Sequence, residues 1–213
     1  MHEQQGLEQQ NDQELISRIL RGECRLFHDL VRPYERAVYL AAYAVLRNHA
    51  DAEEAAQETM IKAFTRLEQL SNPEKFKAWL LQIAINEARL KRRNAHGHLF
   101  EPLEEEDREQ AGPMPRDFAD WRENPEETLE RVEIRRAVVQ ALSGLPEKYR
   151  EVFTLRDVEM LTVNECAQTL GVSEEVVKVR LHRARLMLRE KLAPVFKKSW
   201  FERVFPGKGR KPW

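Results

Sequence analysis

The sequence predicts an all-α protein made of two small helical domains joined by an acidic, mostly irregular linker, with a helix-turn-helix in the C-terminal domain. Three observations predict it. Apolar residues recur at helical spacing over residues 12–94 and again over 128–192. Only 8 of 213 residues are Gly, and alternating β-branched runs are hard to find. Between the two periodic blocks, Pro102, Pro113, Pro115 and Pro125 stand among many acids, a composition that forms no packed core.

The elements follow in order. A first helix is expected from about Asp12 to Arg21, ended by Gly22, and a second from about Cys24 to Tyr34, with Phe27, Leu30, Val31 and Tyr34 on one side. A third covers about Glu35 to Leu46. Asn48-His49-Ala50 reads as a turn, after which Asp51 caps a long helix to about Leu70, and Glu54 gives it a start like a capping box. Its inward stripe is expected to be Ala56, Met60, Phe64 and Leu67. Ser71-Asn72-Pro73 breaks the pattern. The next helix runs from Glu74 or Phe76 to Arg93, with Trp79, Ile83 and Leu90 inward. The linker covers residues 95–127, where Phe118 and Trp121 are candidates for docking on a neighbour. Helicity resumes from Thr128 to Leu142, breaks at Gly144-Leu145-Pro146, and continues from Glu147 to about Asp157. A basic tail, 193–213, carries Trp200, Phe201, Phe205 and Trp213.

The segment LTVNECAQTLGVSEEVVKVRLHRARLMLREK, Leu161 to Lys191, is the most informative. Leu161, Ala167 and Leu170 give one short helix an apolar side. Gly171 suits the left-handed residue that ends it, and Ser173 is a good N-cap for the next. Val177, Leu181, Ala184 and Leu188 form a buried stripe on that second helix. Lys178, His182, Arg185 and Arg189 share a neighbouring face, flanked by Arg180 and Arg183. A helix-turn-helix lays such a helix in the major groove, near base edges and phosphates.

Charge is unevenly placed although the formal net charge is only -1. Glu101 to Glu130 holds 12 acids and 3 bases, whereas Glu174 to Trp213 holds 12 Lys/Arg and 4 Glu. The basic end suits a polyanion; the acidic stretch repels DNA and can shield the basic parts. The polar start, MHEQQGLEQQNDQE, lacks the apolar core of a signal peptide, and no run approaches a membrane span. A cytoplasmic protein without membrane insertion is therefore expected. Cys24 and Cys166 have no Cys or His at metal-ligand spacing and are read as buried thiols. No metal ligand set, cofactor site or catalytic constellation is evident.

A second nucleic-acid surface is expected at SNPEKFKAWLLQIAINEARLKRR, Ser71 to Arg93. A Pro-containing loop leads into a helix bearing Trp79, Asn86, Arg89, Lys91, Arg92 and Arg93. Aromatic and amide groups by a loop can hold an unstacked base, while clustered Lys and Arg follow the backbone. Trp79 by itself reads better as core.

With both blocks in view, the chain resembles a bacterial RNA polymerase sigma factor of the extracytoplasmic-function (ECF) type. DAEEAAQETMIKAFTRLEQL resembles the helix that docks on the clamp helices of the largest polymerase subunit. FKAWLLQIAINEARLKRR resembles the helix that reads the −10 element, and LPEKYREVFTLRDVEMLTVNECAQTLGVSEEVVKVRLHRARLMLREKL resembles the fourth sigma region, which reads the −35 element. The AWLLQIAIN and VKVRLHRAR segments carry it most specifically.

The resemblance implies sigma region two over 12–94 and region four over 128–192. It places Glu54, Gln57 and Glu58 on the polymerase-facing side. The loop containing Ser71, Asn72, Lys75 and Lys77 would receive a flipped base, with Trp79 beside it. Asn86 would hold the melted element, and Arg89, Arg92 and Arg93 its phosphates. In region four, Ser173 opens the recognition helix, Lys178, His182 and Arg183 face the groove, and Arg180 and Arg185 take phosphates or internal ion pairs. The implied partners are core RNA polymerase (clamp helices and flap), promoter DNA and an anti-sigma factor; no cofactor is implied.

Two features depart from the pattern. Glu174 and Glu175 open the recognition helix where neutral residues are common in the family, which favours the helix dipole but repels phosphate. The tail with Lys197, Lys198, Lys208, Arg210 and Lys211 is longer than the pattern needs. A polymerase-independent helix-turn-helix regulator is the main alternative, and it leaves the Trp79 to Arg93 block unexplained. An enzyme or a purely protein-binding helical adaptor fits less well.

Overall fold

The computed structural model describes residues 2–95 and 137–193, with the backbone alone for 2–10. The expected linker beyond Ala95, the helix start at 128–136 and the tail beyond 193 lie outside these residues, and Ala95 itself is the last residue of a helix. Among the described residues every regular element is helical. In order they are α1 (His2–Leu20), α2 (Phe27–Val31), α3 (Glu35–Leu46), α4 (His49–Thr65), α5 (Phe76–Ala95), α6 (137–143), α7 (Glu147–Phe153), α8 (Val163–Leu170) and α9 (Glu174–Leu192).

The first helix extends further toward the N-terminus than its apolar spacing predicts. The expected second helix is broken into a 3-10 turn (Cys24–Leu26), α2, and a second 3-10 turn (Arg32–Tyr34). Pro33 lies in that last turn and lacks the N–H that a continuous helix requires.

α3 is the hub. Its sequence, ERAVYLAAYAVL, is apolar nearly all round, and Ala37 to Val45 are all buried, as expected for a helix surrounded by others. It packs on α4, α5 and α7. Small residues set the spacing. Ala52, Ala55, Thr59 and Ala63 are the buried positions of α4, with Leu67 beyond it, while Ala78, Ala84 and Ala88 are buried beside Phe76, Leu80, Leu81 and Ile85 in α5. The expected stripes are therefore corrected. Phe64 is 43% exposed and Leu90 39% exposed, and Ala56, Met60, Trp79 and Ile83 are only partly buried. The α4 cap is corrected as well. Asn48 Oδ1, not Asp51, accepts at the helix start, from the Asp51 N–H at 3.1 Å.

In the second half, Leu145, Val152, Leu155, Cys166, Val177, Ala184 and Leu188 belong to the same buried core as the residues of α3, α4 and α5. α7 passes into a π-helical turn, Thr154–Val158, rather than continuing as an α-helix. The helix-turn-helix follows the sequence reading closely, since all four stripe residues of α9 are buried. Thr162 and Glu165 form a capping box at the start of α8. Gly171 ends that helix at φ 69°. A Cβ there meets no atom within 4 Å, so Gly171→Ala isolates backbone strain. The expected loss is about 1 kcal/mol, read as a lower urea midpoint at unchanged slope.

Cys166 is fully buried and Cys24 exposed, which corrects the expectation that both are buried. Burial pushes the Cys166 thiol from an ordinary 9.0 up to about 12. Iodoacetamide should therefore label Cys24 alone in the native protein, and both cysteines in denaturant. The folded state keeps the Cys166 proton that the unfolded chain releases. Its contribution to stability is full below about pH 9 and declines from there toward pH 12. Mass spectrometry of the labelled peptides and alkaline denaturation curves check both outcomes.

Candidate nucleic-acid interface

Two faces carry the charge. The first lies on α4, the loop after it, and α5. Glu54, Gln57 and Glu58 stand exposed along α4 beside a groove of about 460 Å³ bordered by Leu90, Lys91 and Asn94 of α5. Lys91 Nζ reaches Glu54 Oε2 at 2.7 Å and Asp51 Oδ1 at 3.3 Å. The bond to Glu54 is the chief reason its ammonium pKa is raised. Lys62 pairs with Glu87 across the same groove. The acidic ridge is thus held in place from behind while its outer side faces solvent.

The loop is built by Asn72, whose Oδ1 accepts from the Glu74 N–H at 3.0 Å and starts the 3-10 turn Pro73–Lys75. Ser71 and Lys75 are exposed there. Trp79 is half-buried, its ring 6.0 Å from that of Phe76, so it is part core and part surface. Asn86 and Arg93 are exposed. Lys77, Arg89 and Arg92 differ: each is partly buried and each is engaged by the second half of the chain.

The second face is α9. Ser173 Oγ accepts from the Val176 N–H at 3.4 Å, so its side chain serves as the helix cap. The backbone N–H of Glu175 itself, and after it the Ser173 hydroxyl, lower the Glu175 pKa. Glu174 Oε1 accepts from Asn164 Nδ2 at 3.1 Å, and its other oxygen lies 3.6 Å from Lys178 Nζ. Both acids are therefore accommodated by the helix start. Lys178, His182 and Arg183 are exposed, and Arg180 is partly so. Arg183 Nη1 donates to Tyr149 Oη at 3.3 Å. Arg185 makes a two-pronged pair with Asp157, at 2.8 and 2.6 Å, which raises its pKa. Of the two roles expected for Arg185, the internal ion pair is the one present.

Sequence reasoning missed Val176 and Val179, 37% and 51% exposed on the same face. They line a groove of about 340 Å³ with Lys148, Tyr149, Arg180 and Arg183. Their signal was available, since neither falls on the buried stripe. It missed Tyr149 and Asp157 too, because side chains that support a site from another helix leave no local pattern.

An acidic helix face, a polar loop before a basic helix, and a capped basic recognition helix, in that order, define a DNA-binding transcription factor. Residues 30–96 match the family described as Sigma-70 region 2, and residues 135–188 match Sigma-70, region 4. The ECF RNA polymerase sigma factor SigW of Bacillus subtilis is 30% identical over 183 residues, 83% of this chain and 94% of that one. The RNA polymerase sigma-H factor of Pseudomonas aeruginosa is 31% identical over 199 residues, 91% of this chain and all of that one. Among solved structures, CnrH in complex with the cytosolic domain of CnrY shares 25% identity at a TM-score of 0.58, covering 86% of this chain and 97% of CnrH. Sigma factor RpoE from Bartonella quintana, in complex with the anti-sigma factor NepR, shares the fold at a TM-score of 0.55 and 21% identity, covering 78% and 96%. The chain belongs to the ECF family of RNA polymerase sigma factors, proteins that direct the initiation of transcription. Among the described residues, no helix is long and apolar enough to cross a membrane.

Proposed function

We propose that this sigma factor joins core RNA polymerase through residues 12–94 and reads the two promoter elements from separate helices. Glu54, Gln57 and Glu58 meet a basic surface on the clamp helices of the largest subunit. The loop around Ser71, Asn72, Lys75 and Lys77 takes a base flipped from the non-template strand, beside Trp79. Asn86 contacts the melted bases, since its amide both donates and accepts, and Arg89, Arg92 and Arg93 hold phosphates. Capture of unstacked bases drives melting, each stacking contact contributing about 1–3 kcal/mol.

Residues 128–192 read the −35 element. Lys178, His182 and Arg183 face the groove, Arg180 takes phosphate, and Ser173 holds the helix start. Val176 and Val179 suit thymine methyl groups, the apolar feature of the major groove. The linker, 95–127, threads toward the RNA exit path, where its acids stand in for nucleic acid, and region four meets the flap. The chain contributes no catalytic group and acts in the cytoplasm. An anti-sigma factor covers both regions. The reading draws on the two solved relatives, whose structures were obtained in complex with CnrY and with the anti-sigma factor NepR.

The observation that carries the reading is the pairing, in one chain, of an exposed Asn86 surface on α5 with an exposed Lys178 surface on α9. Run-off transcription with purified core on genomic fragments tests it. Discrete start sites are expected only when the chain is added. Transcripts that are the same with and without it count against the reading.

A further inference from the structure

Glu174 and Glu175 stand at the end of α9 that approaches the groove, where a carboxylate repels phosphate. Glu174 is nevertheless built in from two sides. Its Oε1 accepts from Asn164 Nδ2 of α8 at 3.1 Å, and its Oε2 lies 3.6 Å from Lys178 Nζ, one turn further along α9. The Glu174 side chain is 42% exposed and that of Lys178 58%. An ion pair this open adds little to folding stability, so stability does not account for it.

What the arrangement changes is where the ammonium points. A lysine is a flexible stem with a point charge at its end. Left free beside DNA, it settles on phosphate, which carries no sequence information. The Asn164 amide fixes one oxygen of Glu174, and the other oxygen biases Lys178 toward the start of α9. An ammonium has three N–H donors. One turned to Glu174 leaves two for a base edge, and O6 and N7 of guanine accept such donors. Neighbouring cations are also held: Arg183 Nη1 donates to Tyr149 Oη at 3.3 Å, and Arg185 is committed to Asp157. Glu175 is bound differently. Its own backbone N–H and the Ser173 hydroxyl lower its pKa most, and Lys178 least.

We infer that Glu174 is a positioning residue for −35 selectivity: held by Asn164, it turns Lys178 away from phosphate and toward a guanine edge. Lys178 then acts as a base contact and not as a phosphate contact. The acid lowers affinity for DNA of every sequence while sharpening the choice among sequences. The inference rests on the reading of α9 as the −35 surface.

The test uses the full chain bound to core. Templates are built on a promoter mapped by run-off transcription, with the −35 element randomised and a barcode placed downstream of the start site. Sequencing of the transcripts gives the base preference at each position. Lys178→Met is expected to relax one guanine position and so to mark what Lys178 reads. Glu174→Gln should weaken preference at that same position about threefold, the scale of an exposed ion pair. On the full chain alone, binding of a fluorescein-labelled random duplex should tighten in Glu174→Gln, and its salt slope should steepen by about one, as for one added phosphate contact. Both effects should vanish when Lys178→Met is already present. Glu175→Gln makes the same charge change one residue along and should leave the preference as it was. Asn164→Ala changes no charge and should relax the preference in the same direction as Glu174→Gln.

Wild-type preference in Glu174→Gln overturns the inference, as does equal relaxation in Glu175→Gln or relaxation that persists in the Lys178→Met background. Relaxation in Glu174→Gln but not in Asn164→Ala reduces Glu174 to a local charge and overturns its placement by α8. If circular dichroism shows Glu174→Gln unfolded, Asn164→Ala is judged by preference alone. Failure of the −35 reading shows separately, as unchanged preference in Lys178→Met.

Discussion

Phe76→Ala is expected to remove about 3–5 kcal/mol of folding stability, the range for emptying a fully buried aromatic site. Phe76 has no exposed surface. Its ring meets Tyr34 edge-on, with centroids 5.6 Å apart, and lies 6.0 Å from that of Trp79. Tyr34 in turn donates from its hydroxyl to buried Asp12 at 2.5 Å. The truncation therefore opens a cavity where α1, the Arg32–Tyr34 turn and the start of α5 converge. Since domains of this size are stable by only about 5–15 kcal/mol, the loss is a large share of the total. Urea unfolding followed by tryptophan fluorescence measures it. A change below about 1 kcal/mol means that the site collapses around the deletion, and the packing account fails. The same variant should weaken promoter melting more than core binding. Phe76 immediately follows the Pro73–Lys75 turn, whereas Glu54 and Glu58 lie on a different helix.

The helix-turn-helix was readable because its signals are local. Gly171, Ser173 and the Val177, Leu181, Ala184, Leu188 stripe each act within a few residues and all agree. α4 and α5 were harder to orient. The large residues Met60, Phe64, Trp79 and Leu90 look like the inward face, yet alanines take most of the buried positions of α4 and several of those of α5. Phe64 lies at the rim, where it leans on Phe27 with centroids 5.0 Å apart. Periodicity alone ranks Phe above Ala, whereas tight helix packing reverses that order at the contact. The choice of Asn48 over Asp51 as cap was undetermined for a similar reason, since either side chain can accept the orphan N–H. The α3 sequence did announce that the helix would be enclosed, but not by what. The bonds from Arg150 to Ala44 and from Arg89 to Glu151 join residues more than 60 positions apart. No spacing rule reaches that far.

Lys178→Ala combined with Arg183→Ala is expected to cut transcription from a cognate promoter on the order of 100-fold. Good base-edge contacts each discriminate by about 1–3 kcal/mol, so losing two is enough. The fold should survive. Both side chains are exposed, the Lys178–Glu174 approach is loose at 3.6 Å, and Arg183 gives up only one 3.3 Å bond to Tyr149. Core affinity should be unchanged, because the acids proposed to meet the polymerase lie on α4. Arg185→Ala makes the contrast. Its guanidinium is committed to Asp157, so its removal should lower stability while promoter preference stays as it was. Salt separates the two DNA roles further. A lost phosphate contact reduces the salt slope by about one and weakens all sequences alike, whereas a lost base contact relaxes preference at one position. If Lys178 and Arg183 read bases, the double variant will initiate poorly at cognate promoters and discriminate less among mutated −35 sequences. Full transcription by that variant, with core bound normally, would move recognition off this face of α9 and leave its exposed cations without a role in promoter choice.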